Sequence, residues 1–127
     1  MSMINDYQKG WALRYLREAK AELTAAKKSP YMAPSLILEA VKKAQAAIYY
    51  SLGDPISIET IVHQTIHNKQ LVNDPTLKCL VEIEKTIRNV AQTAELERKK
   101  AFKQAGDLIK TATAIVGLFT GESVDKQ

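Results

Sequence analysis

The sequence has few of the residues on which disulfide-bonded, membrane-spanning or phosphate-loop proteins depend. Its one cysteine, Cys79, cannot form an intrachain disulfide, so nothing favours an oxidising compartment. No apolar run approaches the roughly 20 residues of a membrane-spanning helix, and residues 1–6 do not resemble a signal peptide. The five glycines never cluster into a phosphate-binding loop. We therefore expect a cytoplasmic protein without a membrane segment.

Residues that interrupt helices are also scarce, with five glycines and four prolines among 127 residues. Alanine, leucine, lysine and glutamate, which favour helices, are abundant, and 46% of the residues are hydrophobic. A chain of this length is expected to fold as one domain with its own core. The sequence predicts a single all-α domain over residues 1–127, an up-and-down bundle of about five helices, with a frayed tail at 122–127.

Residues 74–121 carry the longest helical pattern, and we expect the earlier segments to pack against them. Apolar residues recur there at alternating steps of three and four, as in an α-helical stripe. The stripe consists of Leu77, Leu80, Ile83, Ile87, Val90, Ala94, Ala101, Ala105, Leu108, Ala112, Ile115 and Phe119. Asp74 and Pro75 predict an N-cap and a first helical residue, and Gly121 closes the stretch. Because charged residues at 95–100 interrupt the stripe, we predict two helices with a break near 93–97, in preference to one kinked helix.

Three further helices are predicted upstream of this stretch. The first covers about residues 6–28 and the second about residues 34–52, and alanines on their apolar faces predict close antiparallel pairing. Gly53 is predicted to end the second helix as a left-handed cap. The third helix is predicted to begin after an N-cap at Ser57, with Ile56 and Ile61 in contact as a hydrophobic staple, and to end near residue 69 or 70.

Two segments resemble the first two helices of HEPN-domain proteins: YLREAKAEL at 15–23 and AVKKAQAAI at 40–48. That family is a helical bundle, usually dimeric, often encoded beside a small nucleotidyltransferase and often an RNase in toxin and defence systems. The resemblance implies a HEPN-like bundle, a homodimer, and RNA, a nucleotide or a nucleotidyltransferase as partner.

The RNase motif of that family, an Arg followed after four to six intervening residues by a His, is missing. Both histidines, His63 and His67, precede Arg88, and the matching positions after Arg88 hold Thr, Ala and Glu. After Arg98 they hold Lys, Gln and Ala. None of these residues titrates near neutral pH, as metal-independent RNA cleavage requires. The resemblance therefore implies a non-catalytic member, with no catalytic residue and no cofactor.

A weak metal-site pattern lies on the predicted third helix. Glu59, His63 and His67 are spaced at i, i+4 and i+8, which places them along one helix face. Three ligands rising over two turns of a straight helix cannot all reach one ion, but His63 and His67 can share one. The alternative is an ordinary solvated or interface face, which we favour.

Basic residues crowd the start of the predicted last helix, in a chain of net charge +4. The candidate nucleic-acid-binding residues are Arg88, Arg98, Lys99, Lys100 and Lys103. Such residues bind phosphates in a salt-dependent way. The alternative is a solvated helix start, since Glu95 and Glu97 offset part of the charge. Tyr31, Tyr49 and Tyr50 are candidates for base stacking, or more simply core and interface residues.

These observations favour a non-catalytic helical binding or interaction module. Apolar residues continue as far along the chain as 115–119, which suggests a homodimer, because a five-helix monomer does not obviously need so much apolar surface. Two alternatives stay open. One is an enzyme, either a divergent RNase or a metal-dependent hydrolase that uses His63 and His67. The other is a purely structural scaffold for another protein, without nucleic-acid binding.

Overall fold

The computed structural model describes residues 4–122, and this range folds into five α-helices with no strand. The helices are α1 (Asp6–Lys28), α2 (Ala33–Leu52), α3 (Pro55–His67), α4 (Pro75–Thr93) and α5 (Arg98–Thr120). The predicted all-α class is therefore confirmed for the described range. None of these helices is long and apolar enough to cross a bilayer. Of the tail expected to fray, residues 123–127 lie outside the described range.

The first two helices form an antiparallel pair across the loop at residues 29–32. Lys43 of α2 pairs with Glu22, near the end of α1, at 2.8 Å. Tyr50, close to the end of α2, stacks on Trp11 near the start of α1, with ring centroids 6.2 Å apart. The pairing of α1 with α2 is the most extensive helix contact in the described bundle, which confirms the predicted hairpin.

The last two helices continue the up-and-down alternation. Gln45 of α2 donates to Glu84 of α4 at 2.7 Å, whereas Leu38, earlier in α2, shares a groove with Ala91, later in α4. α2 and α4 are therefore antiparallel. At the other end the first residue of α4 and the last turn of α5 line one cavity, so α5 is antiparallel to α4. The short α3 lies between α2 and α4 in the chain and packs on these two helices alone.

The central element of the bundle is α2, which contacts each of the other four helices. Each earlier helix does contact α4 or α5, as expected for the stretch at 74–121, but the helix with the most partners is α2. The physical reason is that α2 buries residues around much of its circumference, whereas α4 buries a narrower stripe. The buried residues of α2 are Ala33, Ile37, Ala40, Val41, Ala44, Ala47, Ile48, Tyr49 and Ser51.

Alanines line the contacts that α2 makes with α1 and α5. Those with no exposed surface are Ala12 and Ala19 in α1, Ala33, Ala40, Ala44 and Ala47 in α2, and Ala101, Ala105 and Ala112 in α5. A methyl group occupies little space between two helices, so such helices approach toward the short end of the usual range of about 8–10 Å between axes. The extensive contact between α1 and α2 agrees with the close pairing predicted from the sequence.

The break in the last third of the chain falls where the charge pattern predicted it. α4 begins after Asp74, whose side chain accepts a hydrogen bond from the Thr76 amide, and it ends at Thr93. The amides of Leu96 and Glu97 both donate to the Thr93 carbonyl, at 3.1 and 2.7 Å, which turns the chain into α5. α5 ends at Gly121 in the left-handed conformation, with φ 74°. Two helices, as opposed to one kinked helix, are therefore confirmed.

The predicted start of α3 is wrong by one turn. Asp54 is the N-cap, accepting from the amide and the hydroxyl of Ser57, and Pro55 is the first helical residue. Since Ser57 lies inside the helix, the Ile56–Ile61 staple does not apply, and both side chains are more than half exposed. Gly53 does end α2, but with φ 158° and ψ −138°, which is not the left-handed helical conformation.

We expect Ala44→Leu to lower the free energy of unfolding by about 1–3 kcal/mol, because the added atoms meet neighbouring helices with no space between them. Urea unfolding followed by circular dichroism measures this loss. The matched control is Ala25→Leu, an exposed alanine on α1, for which we expect little change. Equal stability of both variants would contradict the close approach of the helices at α2.

Candidate functional site

A cluster of basic residues from two helices lies at one end of the bundle, which we call the basic end. It comprises the last turn of α1, the loop at 29–32, the start of α2, the segment at 94–97 and the first turn of α5. Pro34 and Leu38 of α2 line a groove together with Ala91 and Leu96. This groove shows that the start of α2 lies beside the connection between α4 and α5.

The last turn of α1 reaches the basic end because α1 and α5 are antiparallel. Lys9, near the start of α1, pairs with Glu122 just after α5, at 2.8 Å. Further along, Lys20 of α1 lines a cavity with Ile109 and Thr113 of α5. If the two helices continue in this register, the C-terminal turn of α1 lies beside the first turns of α5.

Exposed cations outnumber carboxylates at the basic end. The cations are Lys27, Lys28, Arg98, Lys99 and Lys100, all exposed. The two carboxylates of the segment, Glu95 and Glu97, are exposed as well, and Glu97 lies 3.5 Å from Lys100. Lys103, one turn further along α5, lies 3.1 Å from Asp107. Exposed ion pairs of this kind contribute little to stability, so both lysines can exchange their partner for a phosphate.

Four of the five candidate nucleic-acid-binding residues lie together at the start of α5, whereas Arg88 lies on α4 and points away from them. Arg98, Lys99, Lys100 and Lys103 occupy the first two turns of α5. Arg88 Nε donates to Glu84 Oε2, one turn back along α4, at 2.8 Å. Since Glu84 lies on the N-terminal side of Arg88, the guanidinium turns away from the C-terminal end of α4 and from the basic end.

A groove with exposed apolar rims opens at the basic end. Its volume is about 490 Å³, and its lining residues are Pro34, Ser35, Leu38, Ala91, Gln92, Ala94, Glu95 and Leu96. Leu96 is 88% exposed, and Tyr31, in the loop that leads to the Pro34 wall, is 95% exposed. Large apolar side chains with so much exposed surface are available to a partner.

A second cluster of polar groups lies where α2, α3 and α4 meet, and we call it the Glu84 cluster. The Glu84 side chain is only 10% exposed. Its Oε1 accepts from Gln45 Nε2 at 2.7 Å and lies 3.6 Å from His63 Nε2, while its Oε2 accepts from Arg88. Gln45 Nε2 also lies 3.0 Å from the Tyr49 hydroxyl oxygen. The buried carboxylate thus joins side chains of three helices.

Tyr49 and Tyr50, two of the candidates for base stacking, have separate environments. Tyr49 is buried, and burial, followed by the nearby charge of Glu84, raises the pKa of its hydroxyl above the usual value. Tyr50 lies in a surface cluster of rings, with its centroid 5.8 Å from that of Tyr15 and 6.2 Å from that of Trp11. Both rings are therefore occupied by protein contacts, and among the three candidates Tyr31 is the one with a largely exposed ring.

His63 and His67, the metal-site candidates on α3, have different surroundings. His63 approaches Glu84, while His67 is exposed in the last turn of the helix. Within residues 4–122 no three histidine, cysteine, aspartate or glutamate side chains come together in a geometry that suits a metal ion. Cys79 is exposed on α4, in the groove between α4 and α5.

Two features of these sites were missed in the sequence. Lys27 and Lys28 belong to the basic end, and they could have been included from their position in the last turn of a predicted helix. Glu84 was not singled out, because a carboxylate four residues before Arg88 resembles an ordinary exposed pair on one helix. Its burial depends on Gln45, which lies 39 residues away in the chain.

No family model, no curated protein and no solved structure matches this chain. The resemblance to HEPN domains therefore stays a prediction from the segments at 15–23 and 40–48. The function has to be argued from the geometry of the basic end and of the Glu84 cluster.

We expect Glu84→Gln to lower the free energy of unfolding by about 1–3 kcal/mol, because an amide has one acceptor oxygen where the carboxylate has two, and its own donors then face those of Arg88 or Gln45. Chemical denaturation measures the loss. The matched control is Glu82→Gln on the same helix, whose carboxylate is exposed and lies 3.9 Å from Lys85. If the two variants were equally stable, the Glu84 cluster would not stabilise the fold.

Proposed function

We propose that this chain is a small, non-catalytic helical module that binds nucleic acid at its basic end. The observation that carries the proposal is the convergence of exposed cations from two helices, the last turn of α1 and the first turn of α5, on one end of the bundle. Lysine and arginine side chains in such a cluster neutralise phosphates and release condensed counterions. RNA is the ligand that the HEPN resemblance suggests.

Carboxylates outnumber cations at the opposite end of the bundle, where Lys9 and Lys78 offset only part of the negative charge, and this supports the orientation. Asp6, Asp54, Asp74 and Glu122 lie at the start of α1, before α3, before α4 and after α5. The cavity shared by Leu52, Pro75 and Phe119 shows that the end of α2, the start of α4 and the end of α5 meet there. An approaching polyanion is therefore attracted to one end and repelled by the other.

The enzyme alternative has less support from the geometry. His63 precedes Arg88 in the chain, so the two do not form the Arg-then-His motif of HEPN RNases. In the fold, however, both side chains approach the same carboxylate, Glu84. That carboxylate accepts hydrogen bonds from Arg88 and Gln45, while His63 Nε2 lies 3.6 Å away, so the Arg88 guanidinium is held against the protein. This is the arrangement of a structural network, in which a buried charge is satisfied by several donors.

The partners suggested by the HEPN resemblance belong to the same proposal. A nucleotidyltransferase or a nucleotide as partner rests on the resemblance alone, as does a toxin-antitoxin setting. The cytoplasmic location rests on the cysteine content and stays a prediction. A purely structural scaffold is the remaining rival, and it differs from our proposal in a measurable way, since it requires no nucleic acid.

We expect the double variant Lys99→Glu and Lys100→Glu to weaken RNA binding at least tenfold and to reduce its salt dependence. For single strands, the slope of log K against log salt is about −0.7 per phosphate neutralised, so loss of two contacts flattens the slope by about 1.4. Fluorescence anisotropy at several salt concentrations measures both quantities.

The matched control reverses the same number of charges at exposed lysines away from the basic end, Lys78→Glu and Lys110→Glu. We expect this control to alter the affinity far less. Equal weakening by both double variants would indicate a response to net charge alone, and the absence of salt-dependent binding would favour the scaffold.

A homodimer is the second part of the proposal, and an apolar cavity at the far end of α4 and α5 supports it. The cavity has a volume of about 240 Å³ and is lined by Leu80 of α4 and by Ile115 and Phe119 of α5. Leu118, next to Phe119 in the chain, is 79% exposed. We expect Leu118→Lys to shift the protein toward the monomer in sedimentation velocity, while Leu71→Lys, at a leucine that is 98% exposed in the loop before α4, does not. A wild-type protein that is monomeric at micromolar concentration would contradict the dimer.

A further inference from the structure

We infer that the groove at the basic end receives an unstacked base, so that the module selects single-stranded over double-stranded nucleic acid. This inference rests on the proposed function and specifies its ligand. It is carried by three features: a groove of suitable size, exposed apolar side chains in its lining and in the loop before it, and cations immediately beyond it.

The groove has the dimensions and the lining of a small-ligand site. Its volume of about 490 Å³ falls within the usual range of about 300–1,000 Å³ for ligand pockets. Pro34, Leu38 and Ala94 supply apolar walls, while the Ser35 hydroxyl and the Gln92 amide supply polar groups. Apolar walls with a few polar groups suit a nucleobase, which has apolar faces and a polar edge.

Two exposed apolar side chains are available for stacking: Leu96 lines the groove, and Tyr31 lies in the loop three residues before the lining residue Pro34. Tyr31 is 95% exposed and Leu96 is 88% exposed, so neither side chain is occupied by the bundle itself. An aromatic ring stacks on any base, because every base has a π-face. In a duplex those faces are covered by the neighbouring base pairs, so only a single strand can use both side chains.

Charge fixes the orientation in which a strand can lie. Glu95 lines the groove, and its carboxylate disfavours a phosphate there. Arg98, Lys99 and Lys100 begin two residues beyond Leu96, outside the lining of the groove. The arrangement therefore places a base in the groove and the adjoining phosphates on the first turn of α5.

The test compares a labelled single-stranded RNA of about 12 nucleotides, within the usual range of site sizes, with a duplex of the same length. Anisotropy titrations use the full chain at one fixed salt concentration. We expect the single strand to bind about tenfold more tightly than the duplex. We expect Tyr31→Ala and Ala91→Trp, the latter filling the groove, each to weaken single-strand binding roughly fivefold or more and to leave duplex binding unchanged.

Leu96→Ser and Leu71→Ser form a matched pair of exposed leucines, one at the groove and one in the loop before α4. We expect only Leu96→Ser to weaken single-strand binding. Circular dichroism establishes that each variant retains the helical fold, which is expected because all four side chains are exposed.

The outcomes separate this inference from the proposed function. Equal affinity for single strand and duplex, with no effect of the groove variants, would overturn the inference and leave phosphate binding at the basic end intact. Absence of binding to either RNA would overturn the proposed function, and the inference with it. A single-strand preference that survives Tyr31→Ala, Ala91→Trp and Leu96→Ser would place the selective contacts elsewhere and would overturn the groove as their site.

Discussion

The close approach of α2 to α1 and α5 is the constraint on which the other features of this molecule depend. The alanines with no exposed surface leave little room between these helices, and the close-packed side chains around them resist sliding and rotation. A fixed register follows from this packing, and the Lys43–Glu22 and Lys9–Glu122 pairs mark it on the surface. The register decides which helix ends meet, and therefore which side chains share a surface although the chain separates them.

The separation of charge along the bundle follows from that register together with the capping of the helices. Asp54 and Asp74 are N-caps, chosen because a carboxylate accepts from free amides at a helix start. Both helices start at the end of the bundle where α1 also starts, so the acidic groups accumulate there. The last turn of α1 and the first turn of α5 carry the cations to the other end. A modest net charge of +4 thus becomes an uneven field in which one end of the bundle attracts a polyanion.

The helices themselves were predictable from the sequence, because their signals are local. Asp74, Pro75 and Gly121 bounded the last two helices correctly, and the charged window at 95–100 located the break. The start of α3 was predicted wrongly at Ser57, although Asp54 followed by Pro55 carries the same N-cap and first-residue signal as Asp74 and Pro75. The central place of α2 and the burial of Glu84 were out of reach, because both depend on contacts between distant segments. At the basic end, the α5 cluster was predicted, whereas the contribution of α1 required the register between the two helices.

The cations of α1 and those of α5 at the basic end affect the stability of the fold differently. Lys27 and Lys28 lie in the last turn of α1, where the partial negative charge of the helix end stabilises cations. Arg98, Lys99 and Lys100 lie in the first turn of α5, where the partial charge is positive, no acidic residue is present and Glu97 makes no side-chain capping hydrogen bond. Each misplaced charge is unfavourable by about 0.3–1 kcal/mol at low salt. Departures from local stability rules are expected where function requires them. A bound phosphate would satisfy the free amides of that turn and its three cations together, so this uncapped helix start, with three cations in its first turn, gains from a polyanionic ligand.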